Sequence, residues 1–438
     1  MSSHLIQSVR GHRIWDSRGR PTVEVEITLG NGVVGRGLAP AGASRGSHEA
    51  VDLRDGGARD GGFGVQQAVA NVNGEIAQAL VGLDAADQAG CDAVLIRLDG
   101  TPTKSRLGGN AVVATSMALL DVTARNLGVP VWKLLRKQGG DRDVRMPLPQ
   151  IQIFGGGAHA SRRTDIQDFL VMPVGAQTFD EALCMVGDVY RAAGDEMDRR
   201  GRRHGVADEG GWWPDFDSNE QALQVLATSI DKAGYRHGEV MICLDIASSE
   251  FGRDGRYKLG LGEVEYDRDA WMEQLVQWLH RYPIISMEDP FAEDDEVGMR
   301  MFTREMGQRI QIIGDDFLVT NAARVEAAAA GGCCNAVLLK PNQAGTLTET
   351  VAALRAAQKL GWGTVVSARS GETECALISH LSTGWDAGQL KVGSFTRSER
   401  MVKWNEALRI ERQGRHLRGY AGAGALPVAQ LRNGLGGQ

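Results

Sequence analysis

Apolar and polar positions alternate along TVEVEITLG (Thr22 to Gly30), which predicts a half-buried strand, and VVGRGLAP continues in the same manner. After a Gly-rich loop at 41–46 the period changes. From about residue 65 to 140, Ala and Leu recur at helical spacing. Strands first and helices after predict a small α+β unit over residues 1–140. The stretch KQGGDRDVRMPLP, with its glycines, charges and two prolines, reads as a connection into a second unit, 141–438.

From about residue 240 the pattern changes again. Short β-branched runs recur, each closing on a charged or polar residue: VMICLD, IISMED, QIIGDD, AVLLK, TVVSARS and QLK. The charged ends are Asp245, Glu288, Asp315, Lys340, Arg369 and Lys391, spaced about one βα unit apart. One intervening helix carries its own start signal: Thr346 and Glu349 form a capping box, Leu347, Val351 and Leu354 share a face, and Gly361 follows the end. Parallel strands with functional side chains at their C-terminal ends predict an α/β fold of the (β/α)₈ barrel type. An open doubly wound sheet would gather its site at one crevice behind a phosphate loop. Here the charges are spread over six consecutive runs, so the barrel is favoured.

Composition narrows the function classes. At 438 residues and 42% apolar, the chain is too long for one ordinary core. A net charge of −7 argues against a nucleic-acid partner. No apolar run approaches the roughly 18 residues of a membrane span, and MSSHLIQSVRGHRIW lacks a secretory stretch, so the expectation is a cytoplasmic protein without a membrane partner. The basic cluster Arg199, Arg200, Arg202, Arg203 and His204 reads as the solvated carbonyl end of a helix. Six cysteines without CxxC spacing read as reduced, mostly core thiols.

Asp245, Glu288 and Asp315 close three consecutive predicted strands. Carboxylates converging on one mouth repel one another unless a cation neutralises them, and an all-oxygen ligand set with open positions favours Mg²⁺. Lys340 and Lys391 end later runs around the same mouth. A lysine beside a divalent cation is pushed toward its neutral form and acts as a base. Acids holding a metal, facing such a lysine, suit abstraction of a proton α to a carboxylate. Gly42-Ala43-Ser44-Arg45-Gly46 also satisfies G-x-S-x-G, but Pro40 precedes it and no HGGG-type segment lies upstream, so a serine hydrolase is disfavoured.

The segments DSRGRPTVEVE, GASRGSHEAVDLRDG, LDGTPTKSRLGGNA, MPVGA, DEGG, DIASSEF, MEDPF, GDDFLVTN, LLKPNQAGT, SARSGETE and RSER resemble the enolases, in the family's order and over essentially the whole chain. The resemblance implies an N-terminal α+β domain capping the barrel, a homodimer and two Mg²⁺ ions. By the same resemblance Asp245, Glu288 and Asp315 match the first metal's ligands, and Lys340 matches the catalytic base. Glu209 in DEGG matches the acid that helps expel the hydroxyl, with Asp168 as its partner carboxylate. Lys391 matches the contact to the substrate carboxylate, while Arg369, Ser370 and His159 match the phosphate side. Ser44 matches the loop serine that binds the second Mg²⁺. Family interface pairs map to Glu24 with Arg409 and to Arg18 with Arg412, the second now like-charged.

Departures from the family pattern cluster at the site. Enolases carry SHRSGETED where this chain reads SARSGETEC, so Ala368 stands in place of a histidine. Asp168 replaces the Glu of QEF and draws that carboxylate back by about 1.5 Å. The closing loop, usually PSGASTG, reads PAGASRG and brings in Arg45; NGGSHAGN has become GGGAHASR, and KVNQIG has become KPNQAG. Trp212 and Trp213 follow DEGG. Losing a histidine makes room, and Arg45 adds a fork for another anionic group. The expectation is a retained first step on a phosphorylated or phosphonate carboxylate other than 2-phosphoglycerate, as in the carboxyphosphonoenolpyruvate synthases of phosphinothricin-type antibiotic biosynthesis. Ordinary dehydration of 2-phosphoglycerate is the alternative, and a non-catalytic binding protein the third reading.

Overall fold

The segment 22–30 is the middle of a three-stranded antiparallel sheet, Pro21–Leu29 flanked by Ile6–Trp15 and Val34–Leu38. Val23, Val25 and Ile27 are wholly buried on one face, while Glu24 and Glu26 remain partly exposed on the other. Residues 4–236, 238–429 and 431 are described by the computed structural model. The helix Gly109–Asn126 lies across the sheet, and here two glycines are required by close approach. A Cβ on Gly35 would strike the backbone of Val122, and one on Gly37 the carbonyl of Ala114. Ile6–Trp15 has only three fully buried positions and a register shift between Ile6 and Ser8, so its sequence alternates poorly. Within the stretch that reads as a connection, Val144–Met146 forms a strand paired with Leu417–Tyr420. That pairing joins distant parts of the chain, which local composition does not encode.

Eight strands close into a barrel. In spatial order they are Leu148–Gly155, Asp168–Met172, Met241–Asp245, Ile284–Glu288, Gln311–Gly314, Ala336–Leu339, Gly363–Ser367 and Gly388–Ser394. Seven run the same way. The second, Asp168–Met172, runs antiparallel to both neighbours, a departure from the uniform (β/α)₈ pattern. The cause is the connection 156–167, too short to carry a crossover helix back over the barrel wall. The reversal matters for the site, because it puts the first residue of that strand at the mouth where the other strands end.

The helix predicted after Thr346 spans Leu347–Lys359. The Thr346 hydroxyl accepts from the Glu349 amide (3.1 Å) and donates to the Glu349 carboxylate (2.7 Å). Leu347 and Leu354 are buried and Val351 is half-buried, and Gly361 follows at φ +71°. At the opposite end of the barrel from the mouth, Gln150, Gln311 and Gln389 bond one another and fill the interior with paired amides. No helix among the described residues is long and apolar enough to cross a membrane.

Candidate functional site

Strand register builds the acidic wall of the mouth. Asp168 pairs with Asp245, and Asp245 in turn with Glu288, so three neighbouring strands present carboxylates at one level. Asp315 follows the next strand by one residue. All four are almost fully buried, none above 4% exposed. Lys391 faces three of them, its Nζ 2.8 Å from Asp245, 2.8 Å from Glu288 and 3.5 Å from Asp168. It lies inside the strand Gly388–Ser394 rather than at its end, just before an irregularity in register. Lys340 follows Ala336–Leu339 and sets its Nζ 2.5 Å from Asp315.

The protonation pattern follows from these contacts. Burial, reinforced by Asp245, pushes the Glu288 carboxyl well above its ordinary range. Burial also opposes charge on Asp315, yet Lys340 beside it holds that carboxyl below its ordinary value. For Lys340 burial favours the neutral amine, but Asp315 outweighs it and keeps the ammonium above its usual pKa. Arg369 and Lys391 act on Asp315 in the same direction as Lys340, and Gln343 donates to it (2.8 Å).

Asp245 Oδ1 and Glu288 Oε1 are buried without a hydrogen-bond partner. Oxygen donors alone, two of them unpartnered and all in a concentrated negative field, fit a hard divalent cation such as Mg²⁺. Asp245, Glu288 and Asp315 are not drawn tightly together, since two face Lys391 and the third faces Lys340. Tighter sets, with ligand atoms within 4.8 Å of one another, are His159, Asp168 and Glu209, and Asp289, Asp315 and Asp316. The second set exposes a residue that the sequence reading missed. Asp289 accepts the backbone amides of Asp315 (2.8 Å) and Asp316 (2.7 Å) and so fixes the turn that aims Asp315. The second acids of MEDP and GDD were its only signal.

His159 stands between the two acids assigned to leaving-group chemistry. Its Nδ1 is 2.9 Å from Asp168, and its Nε2 is 3.7 Å from Glu209. Burial would lower the imidazole pKa, but Glu209 and then Asp168 outweigh it and raise it to about 9. Asp168 also accepts from Gln152 (2.5 Å). Despite its burial, His159 and Lys391 hold it well below the ordinary carboxylate range.

On the capping-domain side, Arg369 is clamped. Its guanidinium is 2.9 Å from Glu49, and it donates to Asn342 (3.1 Å) and to the Ser44 carbonyl (3.0 Å). A side chain at Gly42 would collide with that guanidinium, which is why the loop needs glycine there. Ser370 accepts from Arg18 (3.2 Å). Glu49 is a second residue that the sequence reading missed.

One cavity is lined by Ser44, His159, Asp168, Glu209, Asp245, Lys340, Arg369, Ser370 and Lys391, with Ala368 in its wall. Its volume is about 20 Å³, room for a water. Arg45 is outside this set. It is exposed, and its guanidinium pairs with Asp52 at 2.9 Å. Arg18 is turned inward within the chain, toward Asp16 and Ser370, rather than outward. Trp212 stacks on Tyr190 (4.7 Å) and donates to its carbonyl (2.8 Å). In the basic cluster, Arg199 and Arg200 pair with Glu196, Arg202 with Asp217, Arg203 with Asp198 and His204 with Asp215. All six cysteines are free, and four are buried.

Two family models match the chain: enolase, N-terminal domain, over residues 6–135, and enolase, C-terminal TIM barrel domain, over residues 143–427. Among curated relatives, the chain is 48% identical over 415 residues to "Enolase 1" of Desulfitobacterium hafniense (strain Y51), covering 94% of each.

Proposed function

The chain is an enolase-family lyase, and from that premise we propose that it removes the proton α to the carboxylate of a phosphorylated or phosphonate substrate and expels a β-hydroxyl, giving a phosphoenolpyruvate-type product. One observation carries the reading. The strands of Asp168 and Lys340 are four apart in an eight-strand barrel, so the base and the partner carboxylate of Glu209 lie on opposite sides of the mouth. A substrate held between them can lose a proton on one side and a hydroxyl on the other.

In this reading Lys340 takes the α-proton on Nζ. It is held protonated by Asp315; once that carboxylate has another counter-charge, burial alone acts on the ammonium and pushes it toward the amine. Asp245, Glu288 and Asp315 would hold Mg²⁺, with Ser44 available to a second ion. When bound, the metal supplies positive charge beside the substrate carboxylate as negative charge accumulates there. Lys391 contacts that carboxylate after leaving Asp245 and Glu288. Arg369 and Ser370 bind the phosphate or phosphonate. Glu209, with the protonated His159 between it and Asp168, delivers a proton to the departing hydroxyl.

We propose that the substrate differs from 2-phosphoglycerate, in the manner of the carboxyphosphonoenolpyruvate synthases. Support comes from Ala368 in the cavity wall, from Asp168 at the acid pair, and from Arg45, which would reach a further anionic group on releasing Asp52. Ordinary dehydration of 2-phosphoglycerate is the second reading, favoured by 48% identity to a protein named Enolase 1. We also infer a cytoplasmic homodimer, with Glu24 and Arg409 as an interface pair.

The test is incubation with Mg²⁺ and 2-phosphoglycerate in D₂O, following both α-proton exchange and phosphoenolpyruvate. Exchange with little dehydration supports the altered substrate. Rapid dehydration establishes the ordinary reaction. Absence of exchange with 2-phosphoglycerate and with phosphonate analogues alike would refute the base assigned to Lys340.

A further inference from the structure

Beside the helix Leu347–Lys359, where helices of the capping domain pack against the barrel, two cavities meet. One, of about 260 Å³, is walled by Arg136, Arg142, Arg355 and Arg418. The other, of about 350 Å³, is walled by Leu120, Leu135, Leu347 and Val351. Gly139, Arg355 and Trp385 line both, so they are two halves of one trough. No residue of this trough lines the catalytic cavity.

The basic half carries unmatched charge. Its acids are already taken: Asp386 pairs with Arg418 (2.8 Å) and Arg145 (3.4 Å), and Asp143 faces Arg136 (4.0 Å) and His416 (3.5 Å). Arg136 is more fully engaged by Asp141 at 2.6 Å, though its buried Nε has no partner. That leaves Arg142 and Arg355, neither ion-paired among the described residues; the only side-chain partner of Arg355 is Gln358, at 2.8 Å. Two unpaired guanidinium forks beside a cavity match a dianionic head, and a phosphate monoester offers that charge with several acceptor oxygens.

The other half offers contact without direction. Gln88 and Thr348 on its wall spend their hydrogen bonds on Ser116 and Asp92. Asp87 on the same wall caps a helix by accepting the Gly90 amide (2.9 Å), and apart from it and Gln138 the remaining surface is mainly aliphatic with Trp385, which suits a hydrocarbon group. We propose that this trough is a second ligand site, taking a phosphate monoester carried on an apolar chain, with the phosphate on Arg142 and Arg355 and the chain against Leu120, Leu347 and Val351.

Titration calorimetry of the full chain with octyl phosphate tests this. The Arg142→Ala/Arg355→Ala double variant should bind it at least tenfold more weakly while keeping α-proton exchange, which also reports an intact fold. Arg369→Ala, which alters the catalytic phosphate contact instead, should bind octyl phosphate as the parent does. Inorganic phosphate and octanoate should each bind the parent at least tenfold more weakly than octyl phosphate. Val351→Asn should weaken octyl phosphate but not inorganic phosphate. The site is refuted if octyl phosphate fails to bind. Binding lost in Arg369→Ala but kept in the double variant refutes it too, as do inorganic phosphate or octanoate binding equally well.

Discussion

The guanidinium of Arg369 and the carboxylate of Glu49, 2.9 Å apart and both buried, fasten the barrel mouth to the glycine-rich loop of the capping domain. Glu49 also accepts from the Gly46 amide (3.1 Å) and from Gln343 (3.2 Å), so one carboxylate fixes the loop, the anion-binding arginine and the neighbour of Asp315. Glu49→Gln should therefore act on stability and on substrate affinity together. Leaving a buried guanidinium without its acid costs about 3 kcal/mol, read as a lowered denaturant midpoint. The KM for a phosphorylated substrate should rise. A variant with unchanged midpoint and unchanged KM would show that Asn342 and the Ser44 carbonyl suffice to hold Arg369.

Lys340→Ala should remove α-proton exchange by about a thousandfold or more, the usual scale of a positioned base. Mg²⁺ should still bind, since Lys340 is no ligand in this arrangement. Deuterium incorporation measured by mass spectrometry separates loss of the base from loss of the metal.

Metal uptake should release protons. In the metal-free protein Glu288 is pushed well above the ordinary carboxylate range by burial and by Asp245, and a cation requires it ionised. The enthalpy of Mg²⁺ binding should depend on the ionisation heat of the buffer, and affinity should rise with pH. Asp245→Asn should abolish the rise in Tm that Mg²⁺ brings to the parent.

His159 gives a stability signature of definite sign. Its folded pKa of about 9 lies above the ordinary 6.5, so the folded state binds the extra proton between those values. The contribution is fully present below about pH 6.5 and is lost as pH rises through about 9, amounting to at most about 3 kcal/mol. Denaturation of the Mg²⁺-free protein across that window should show the decline. His159→Gln should flatten it.

Much of the site was legible because strand ends carry their own signal. Asp245, Glu288 and Lys340 each close an apolar run, and alternation alone placed Pro21–Leu29. What sequence could not show were pairings across the chain. Glu49 finds Arg369 across 320 positions, and Asp289 acts through backbone amides that composition does not mark. Arg45 is a related case. Its chemistry marks it as a fork for an anion, while its contact with Asp52, seven residues away, is one that the sequence does not announce. Lys391 was placed at a strand end but lies within the strand, because the register shift falls after it.

The reversed second strand has a consequence for how this chemistry can vary. In a barrel whose strands all run alike, a loop leaving the mouth must hand the chain to a helix and return it at the other end. Here the connection 156–167 starts and finishes on the same rim, so His159 and Asp168 hang from one short span. Substitutions confined to that span can retune proton delivery to the leaving group without disturbing a helix, a strand register or the metal acids. It is a detachable module in an otherwise continuous wall, and the replacement of Glu by Asp at 168 falls at its hinge with the barrel.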